Sequence, residues 1–350
     1  LHMAPADQNE AGGGGAALCG DDVFEKMVAD CLSFAEDDKI LQASRLEKRV
    51  EREAPHVHAR HLAALEKVRA EAKVVEFGEK FLTDEAGWTC VREGKHTGDV
   101  RVWHRPEEGS DIHALKVMAD VDAPLEYMLV LVNEVTLFAE WLPFMGAADL
   151  LARPSRCTRV AWWRMWSPAA LVIHHRDACI RGRAIDGLDE DDCVLILIQD
   201  SDETRDAVPH PALLPRTTRI AITHATVKLE PLPGGGTRVI AGGAVDPFIK
   251  RMPPWLINWI ATKVCYVGML MWERKAKIVA EGKDKKCAHR ARMEQDKDFY
   301  DWVKKRVASW VPGRHHAGKS GHASESGHVS THEASQDAGR EDGRDGRVPI

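Results

Sequence analysis

The sequence of 350 residues predicts an α+β fold. The expected architecture is a curved antiparallel β-sheet wrapped around a long C-terminal α-helix, with a helical N-terminal extension. Three observations predict it. Residues 88–245 break into strand-like runs, mostly joined by short turns, which favours antiparallel neighbours. Residues 253–280 form one amphipathic helical stripe, roughly 40 Å long at the usual rise and able to cross a sheet. Residues 21–81 place apolar side chains at helical spacing.

Residues 1–20 carry Gly12 to Gly15 in a row and read as a flexible leader. Asp21-Asp22 is an N-cap signal, and Val23, Met27, Cys31 and Phe34 follow at helical spacing. A charged helical stretch runs from Lys39 to Glu53, and Pro55 interrupts it. From Ala59 to Phe81, Leu62, Leu65, Val68, Ala72 and Val75 form one stripe. The helical extension is therefore placed at 21–82, and the main domain at 83–281.

The pattern changes at Trp88. Trp88–Arg92, Val100–Arg105 and His113–Val121 read as three strands, and Pro124 opens a helix carrying Leu125, Met128, Leu129 and Val132. Six more strands are expected at Ala148–Ala152, Thr158–Trp166, Leu171–Ala184, Cys193–Ser201, Thr217–Glu230 and Thr237–Val245. Gly234-Gly235-Gly236 supplies the last hairpin. Pro253-Pro254 sets the start of the long helix. Residues 282–311 form a further amphipathic helix with Phe299, Trp302, Val303 and Trp310 on one side, which packs on its own domain or lies on a membrane surface. The tail 312–350 is rich in Gly, Ser, His and Asp and reads as disordered.

A net charge of -6 argues against a surface built for nucleic acid. The eight cysteines include no C-x-x-C pair and read as buried thiols. His56, His58 and His61 do not share one helical face, so a metal reading is weak. There is no P-loop, no dinucleotide Gly motif and no G-x-S-x-G, so no cofactor is expected. A cytoplasmic protein that visits membranes peripherally is the expectation, since no apolar run approaches a membrane span and no signal peptide is evident.

Several stretches together resemble the START domain, the StAR-related lipid-transfer family of the helix-grip superfamily. They are Trp88, Val100-Arg101-Val102-Trp103-His104-Arg105, Ala123-Pro124-Leu125-Glu126, the Trp141 region, His175-Arg176-Asp177, Val245-Asp246-Pro247 and Met252-Pro253-Pro254-Trp255-Leu256-Ile257-Asn258. The resemblance covers residues 75–281. It implies a sterol, phospholipid or other lipid held in a tunnel under the last helix. Sterol carriers of this kind pair an acid with an arginine, at positions that fall here near Trp163 and Gly182. That departure weakens the sterol version.

The candidate cavity residues are Trp162, Arg164 and Trp166 on one strand face, Arg176, Ile196, Ile198, and Leu256, Ile260, Val264 and Gly268. Alternatively Trp163 and Met165 point inward and Arg164 outward. Arg176 and Asp177 point to opposite faces of a regular strand. The loop from Asp246 to Trp255 should flank the mouth, with Lys250, Arg251, Trp255 and Trp259 as lid and membrane contacts. Two other functions compete with lipid transfer or sensing. One is an enzyme, a hydrolase or cyclase, on the same fold using His224, Asp177 and Cys179. The other is an adaptor whose N-terminal helices recruit a protein partner.

Overall fold

The computed structural model describes residues 20–310 except 95, 97–98, 108, 111, 168, 203–207, 209–213 and 250–251. The expectations for the leader before Gly20, for the tail and for Lys250 and Arg251 lie outside the described residues.

Four helices come first: α1 (Gly20–Glu36), α2 (Ile40–Glu53), α3 (Pro55–Arg60) and α4 (Leu62–Thr83). Val28 and Cys31 of α1, Val50 of α2 and Val57 of α3 bury against Leu65 and Val68 of α4. Asp21, expected as a cap, lies inside the first turn of α1 and accepts hydrogen bonds from His56 (2.8 Å) and Arg60 (3.1 Å). His58 and His61 reach two other carboxylates, Glu47 (2.9 Å) and Glu25 (2.6 Å). The three rings thus serve three separate contacts within the helical layer.

Ten strands follow among the described residues: β1 (Thr89–Arg92), β2 (Arg101–Pro106), β3 (His113–Val121), β4 (Met145–Ser155), β5 (Thr158–Met165), β6 (His175–Gly187), β7 (Cys193–Asp200), β8 (Thr217–Arg219), β9 (Ala221–Pro231) and β10 (Thr237–Asp246). They form one sheet in the order β1-β2-β3-β10-β9-β7-β6-β5-β4. The expected run 217–230 is two strands. It breaks at Ile220, whose amide donates to the Asp177 carbonyl (2.9 Å). The short β8 lies parallel to β6, and every other strand pairing among the described residues is antiparallel. Strand β6 starts only at His175, and Leu171 and Val172 before it are exposed.

Helices cover both faces of the sheet. Helix α4 packs on the outer face. Gly242 of β10 lets it approach, since a Cβ there would sit 2.9 Å from the Phe81 ring and 3.0 Å from Leu82. The inner face carries α5 (Leu125–Asn133), the long helix over 254–281, α8 (Ala288–Gln295) and α9 (Lys297–Ala308). The expected single amphipathic segment at 282–311 divides at Asp296.

The long helix is not uniformly α. It runs as α6 (Pro254–Trp259), one π-helical segment (Ile260–Tyr266) and α7 (Val267–Glu281). Ile260, Thr262 and Val264 are β-branched and crowd an α-helical turn. The Thr262 hydroxyl also donates to the Asn258 carbonyl (2.7 Å), competing for a helical acceptor. Gly282 ends the helix in the left-handed conformation with φ 64°, where a side chain would be strained.

Candidate functional site

Two chambers lie between the inner face of the sheet and the helices above it. The lid chamber has a volume of about 400 Å³ and sits under α6 and the π segment. Leu256, Ile257, Ile260 and Val264 form its roof, while Trp163, Met165, Ala225 and Val245 belong to its floor. The rear chamber, about 190 Å³, lies under α9 and beside α5. Val227 lines both.

Strand register decides which side chains enter. In β5 and β6, Trp163 lies opposite Ala178 and Met165 opposite Arg176, while Trp162 faces Cys179 and Arg164 faces Asp177. Directly paired residues share a face. Trp163, Met165 and Arg176 therefore point in, and Trp162 and Arg164 point out. This corrects the expected cavity roles of Trp162 and Arg164. Trp162 donates its indole N–H to Asp177 (2.9 Å), whose carboxylate is also held by Arg219. Arg164 donates to the Pro215 carbonyl (3.0 Å) and lies over the Trp166 ring. Trp166 stands beyond the end of β5, free of strand alternation, and does line the lid chamber.

The other candidates divide. Leu256, Ile260, Val264 and Trp259 reach the lid chamber, and Trp259 packs on Phe144 with ring centroids 4.7 Å apart. Ile196 and Ile198 line the rear chamber instead. Gly268 reaches neither, because its open side faces Pro143 at 3.6 Å. Trp255 is half exposed outside the roof. His224 points to the outer face, between Phe77 and Phe81. Asp177 and Cys179 share that outer face of β6, so the three proposed catalytic groups do not meet in the lid chamber.

Arg176 is the notable polar group of the lid chamber. Its Nε donates to the Pro247 carbonyl (3.0 Å), and its Nη1 donates to the carbonyls of His174 and His175. No carboxylate among the described residues forms an ion pair with it. Burial holds its pKa below the usual guanidinium value. Across the chamber, His104 and His113 lie within hydrogen-bond distance (3.0 Å) on β2 and β3. Burial first, and then the neighbouring His113, keep the His104 pKa below its ordinary value, so His104 stays neutral near pH 7. The sequence reading missed this pair, although the antiparallel pairing of β2 with β3 brings the two rings to one face.

The mouth of the lid chamber is apolar on its outside as well. Of the ten large hydrophobic side chains exposed among the described residues, six are Phe144, Trp166, Leu171, Val172, Phe248 and Trp255. All six belong to segments that border this mouth. Leu171 and Val172 are the most exposed, at 86% and 82%. They were read as strand residues because an exposed apolar loop tip looks like a strand start in sequence.

An α+β grip with a hollow under its long helix is the class of protein that these features define. The particular fold is that of the START lipid-transfer domains. Human StAR-related lipid transfer protein 5 superposes with a TM-score of 0.50 at 18% identity, covering 60% of this chain and 95% of that one. Human STARD10 gives a TM-score of 0.48 at 16% identity, over 60% of this chain and 81% of that chain. A StAR-related lipid transfer protein fragment from Xanthomonas axonopodis gives 0.42 at 16% identity, over 55% of this chain and 99% of that one. No family model and no curated sequence matches the chain. No helix among the described residues is long and apolar enough to cross a membrane.

Proposed function

We propose that the protein binds a lipid in the lid chamber and loads it at a membrane surface, without covalent change to the lipid. The observation that carries this reading is the chamber of about 400 Å³ under a short lid, apolar in nearly all its lining and holding Arg176 without a carboxylate partner among the described residues. Each lipid methylene buried there would contribute roughly 0.8 kcal/mol, so apolar fit supplies most of the affinity. Arg176 then fixes a polar head near Pro247, at the edge of the mouth. The exposed apolar rim supports membrane contact, because Leu171, Val172, Phe248 and Trp255 can enter the interfacial layer while the lid parts. The separation of His224, Asp177 and Cys179 from the chamber supports binding over catalysis by those groups.

The test is extraction of labelled lipid from phosphatidylcholine vesicles by the full chain, with native mass spectrometry of the product. Wild type should carry one lipid in the lid chamber. Val264→Trp fills the chamber from its roof and should cut extraction at least about tenfold. Leu171→Asp together with Val172→Asp should slow extraction and leave the bound mass unchanged. Undiminished extraction by Val264→Trp would remove the lid chamber from the mechanism.

A further inference from the structure

The rear chamber has an end that the lipid reading does not use. Its walls are apolar along α5 and strands β5, β6, β7 and β9, with Leu129, Val132, Ile180 and Ile196 among them. Two arginines line it: Arg306, which is paired with Asp186 and Asp189, and Arg159 at its outer end. Arg159 projects from the inner face of β5 and is only 8% exposed. Its Nη1 donates to the carbonyls of Ser155, Arg156 and Thr158, while its buried Nε has no partner. No carboxylate among the described residues forms an ion pair with it. The nearby buried carboxylate, Glu134, already accepts from Tyr300 and Asn133. Burial, reinforced by Arg153, lowers the Arg159 pKa, as expected for a cation lacking its counter-charge.

Arg159, Phe299 and Trp302 line the rear chamber and also an outer pocket on the far side. That outer pocket holds Arg153 and Arg156 against Asp296 and Asp298. Arg153 pairs with Asp296 (3.4 Å), and Arg156 lies over the Trp302 ring. Counted with the neighbouring Glu134 and its partner Arg292 (3.9 Å), the guanidinium groups of Arg153, Arg156, Arg159 and Arg292 face the carboxylates of Asp296, Asp298 and Glu134, leaving one net positive charge at the partition. A buried cation of this kind is stabilised by an anion that brings its own charge.

We propose that the rear chamber is a second ligand site for a single-chain amphiphile with an anionic head, carboxylate or phosphate monoester, its tail in the apolar chamber and its head on Arg159. The site is independent of the lid-chamber reading. Gly182 of β6 gives a way to close it, since a Cβ there meets nothing within 4 Å and a larger side chain would enter the chamber.

The delipidated full chain carrying Val264→Trp, with Ile260→Trp as a second lid-chamber block, is titrated calorimetrically with decanoate, decyl phosphate, 1-decanol and inorganic phosphate. Blocking the lid chamber first means that failure of that reading leaves this result interpretable. One equivalent of decanoate or decyl phosphate should bind, about tenfold more tightly than 1-decanol. Adding Arg159→Met should bring the affinities for decanoate and 1-decanol together, and Arg159→Lys should restore a preference. Adding Gly182→Leu should remove the binding equivalent. The proposal is overturned if neither blocked chain binds a charged amphiphile, or if the preference survives Arg159→Met. It is equally overturned if Gly182→Leu leaves the stoichiometry intact, or if inorganic phosphate binds as tightly as decyl phosphate.

Discussion

The lid chamber and the rear chamber share Val227 and one chemical plan, an apolar hollow with an arginine anchored on main-chain carbonyls. They differ in how they are closed. Over the lid chamber the seam is apolar: Trp259 rests on Phe144, and Leu256 and Ile260 face the hollow. Over the rear chamber α9 is tied down by polar contacts. Tyr300 donates to Glu134 and accepts from Asn133 (2.7 Å), Arg306 holds Asp186 (2.6 Å) and Asp189 (2.7 Å), and the Trp310 indole donates to Asp192 (2.7 Å). An apolar seam can part against a membrane with little loss, because the membrane offers apolar surface in return. A latch of buried polar groups cannot, since each opened contact leaves a desolvated group behind. On the proposed reading, the roof over the lid chamber would be the one that opens and α9 the one that stays in place.

Acid is the strongest way to break that asymmetry. His289 on α8, just before α9, is fully buried, with Lys275 and Glu140 as its charged neighbours. Burial first, and then Lys275, hold its pKa down, from 6.5 to about 4. The unfolded chain therefore takes up a proton that the folded chain refuses. Stability is complete above pH 6.5 and is lost as the pH falls toward 4, by about 3 kcal/mol at most. Thermal unfolding between pH 7 and 4 should show this fall, and His289→Phe should flatten it. An unchanged slope in the variant would take His289 out of the latch.

Tyr300→Phe comes next. It removes the hydroxyl that the buried Glu134 carboxylate depends on, at a cost of about 2 kcal/mol by urea denaturation. Arg306→Gln should cost about 1–2 kcal/mol, less than a fully buried pair because Asp189 is partly exposed. Both variants should leave lipid extraction through the lid chamber near the wild-type level. If either slowed extraction as much as stability, the two roofs would be coupled.

The sheet, its order of strands and the two roofs were unequally legible in the sequence. Period-2 runs such as His113–Val121 and the Gly234–Gly236 turn mark their elements directly, because strand and hairpin chemistry are local. The roof residues Leu256, Ile260 and Val264 were legible for the same reason, lying on one helical stripe. Which face of β5 looks inward was not, since Trp162, Trp163, Arg164 and Met165 satisfy either alternation and only pairing with β6 decides. The break at Ile220 was hidden too, because it is made by a long-range contact with Asp177. Arg159 carried no local signal at all. Its meaning comes from α9 closing over it, more than 130 residues later in the chain.

The smallest expected effect on stability is also the sharpest on the apolar seam. Trp255 starts the lid helix and is half exposed, with no hydrogen bond from its indole among the described residues. Trp255→Ala should change stability by less than about 0.5 kcal/mol, as for an exposed side chain outside the core. Its ring, like that of Phe248, is nevertheless exposed, and an exposed aromatic group can sit at the level of lipid headgroups. Extraction from vesicles should therefore slow several-fold while the bound lipid and the unfolding midpoint stay the same. The same substitution should not alter binding of decanoate in the rear chamber, whose roof is α9. A loss of both together would mean that one opening motion serves the two chambers, and the distinction between an apolar seam and a polar latch would have to be given up.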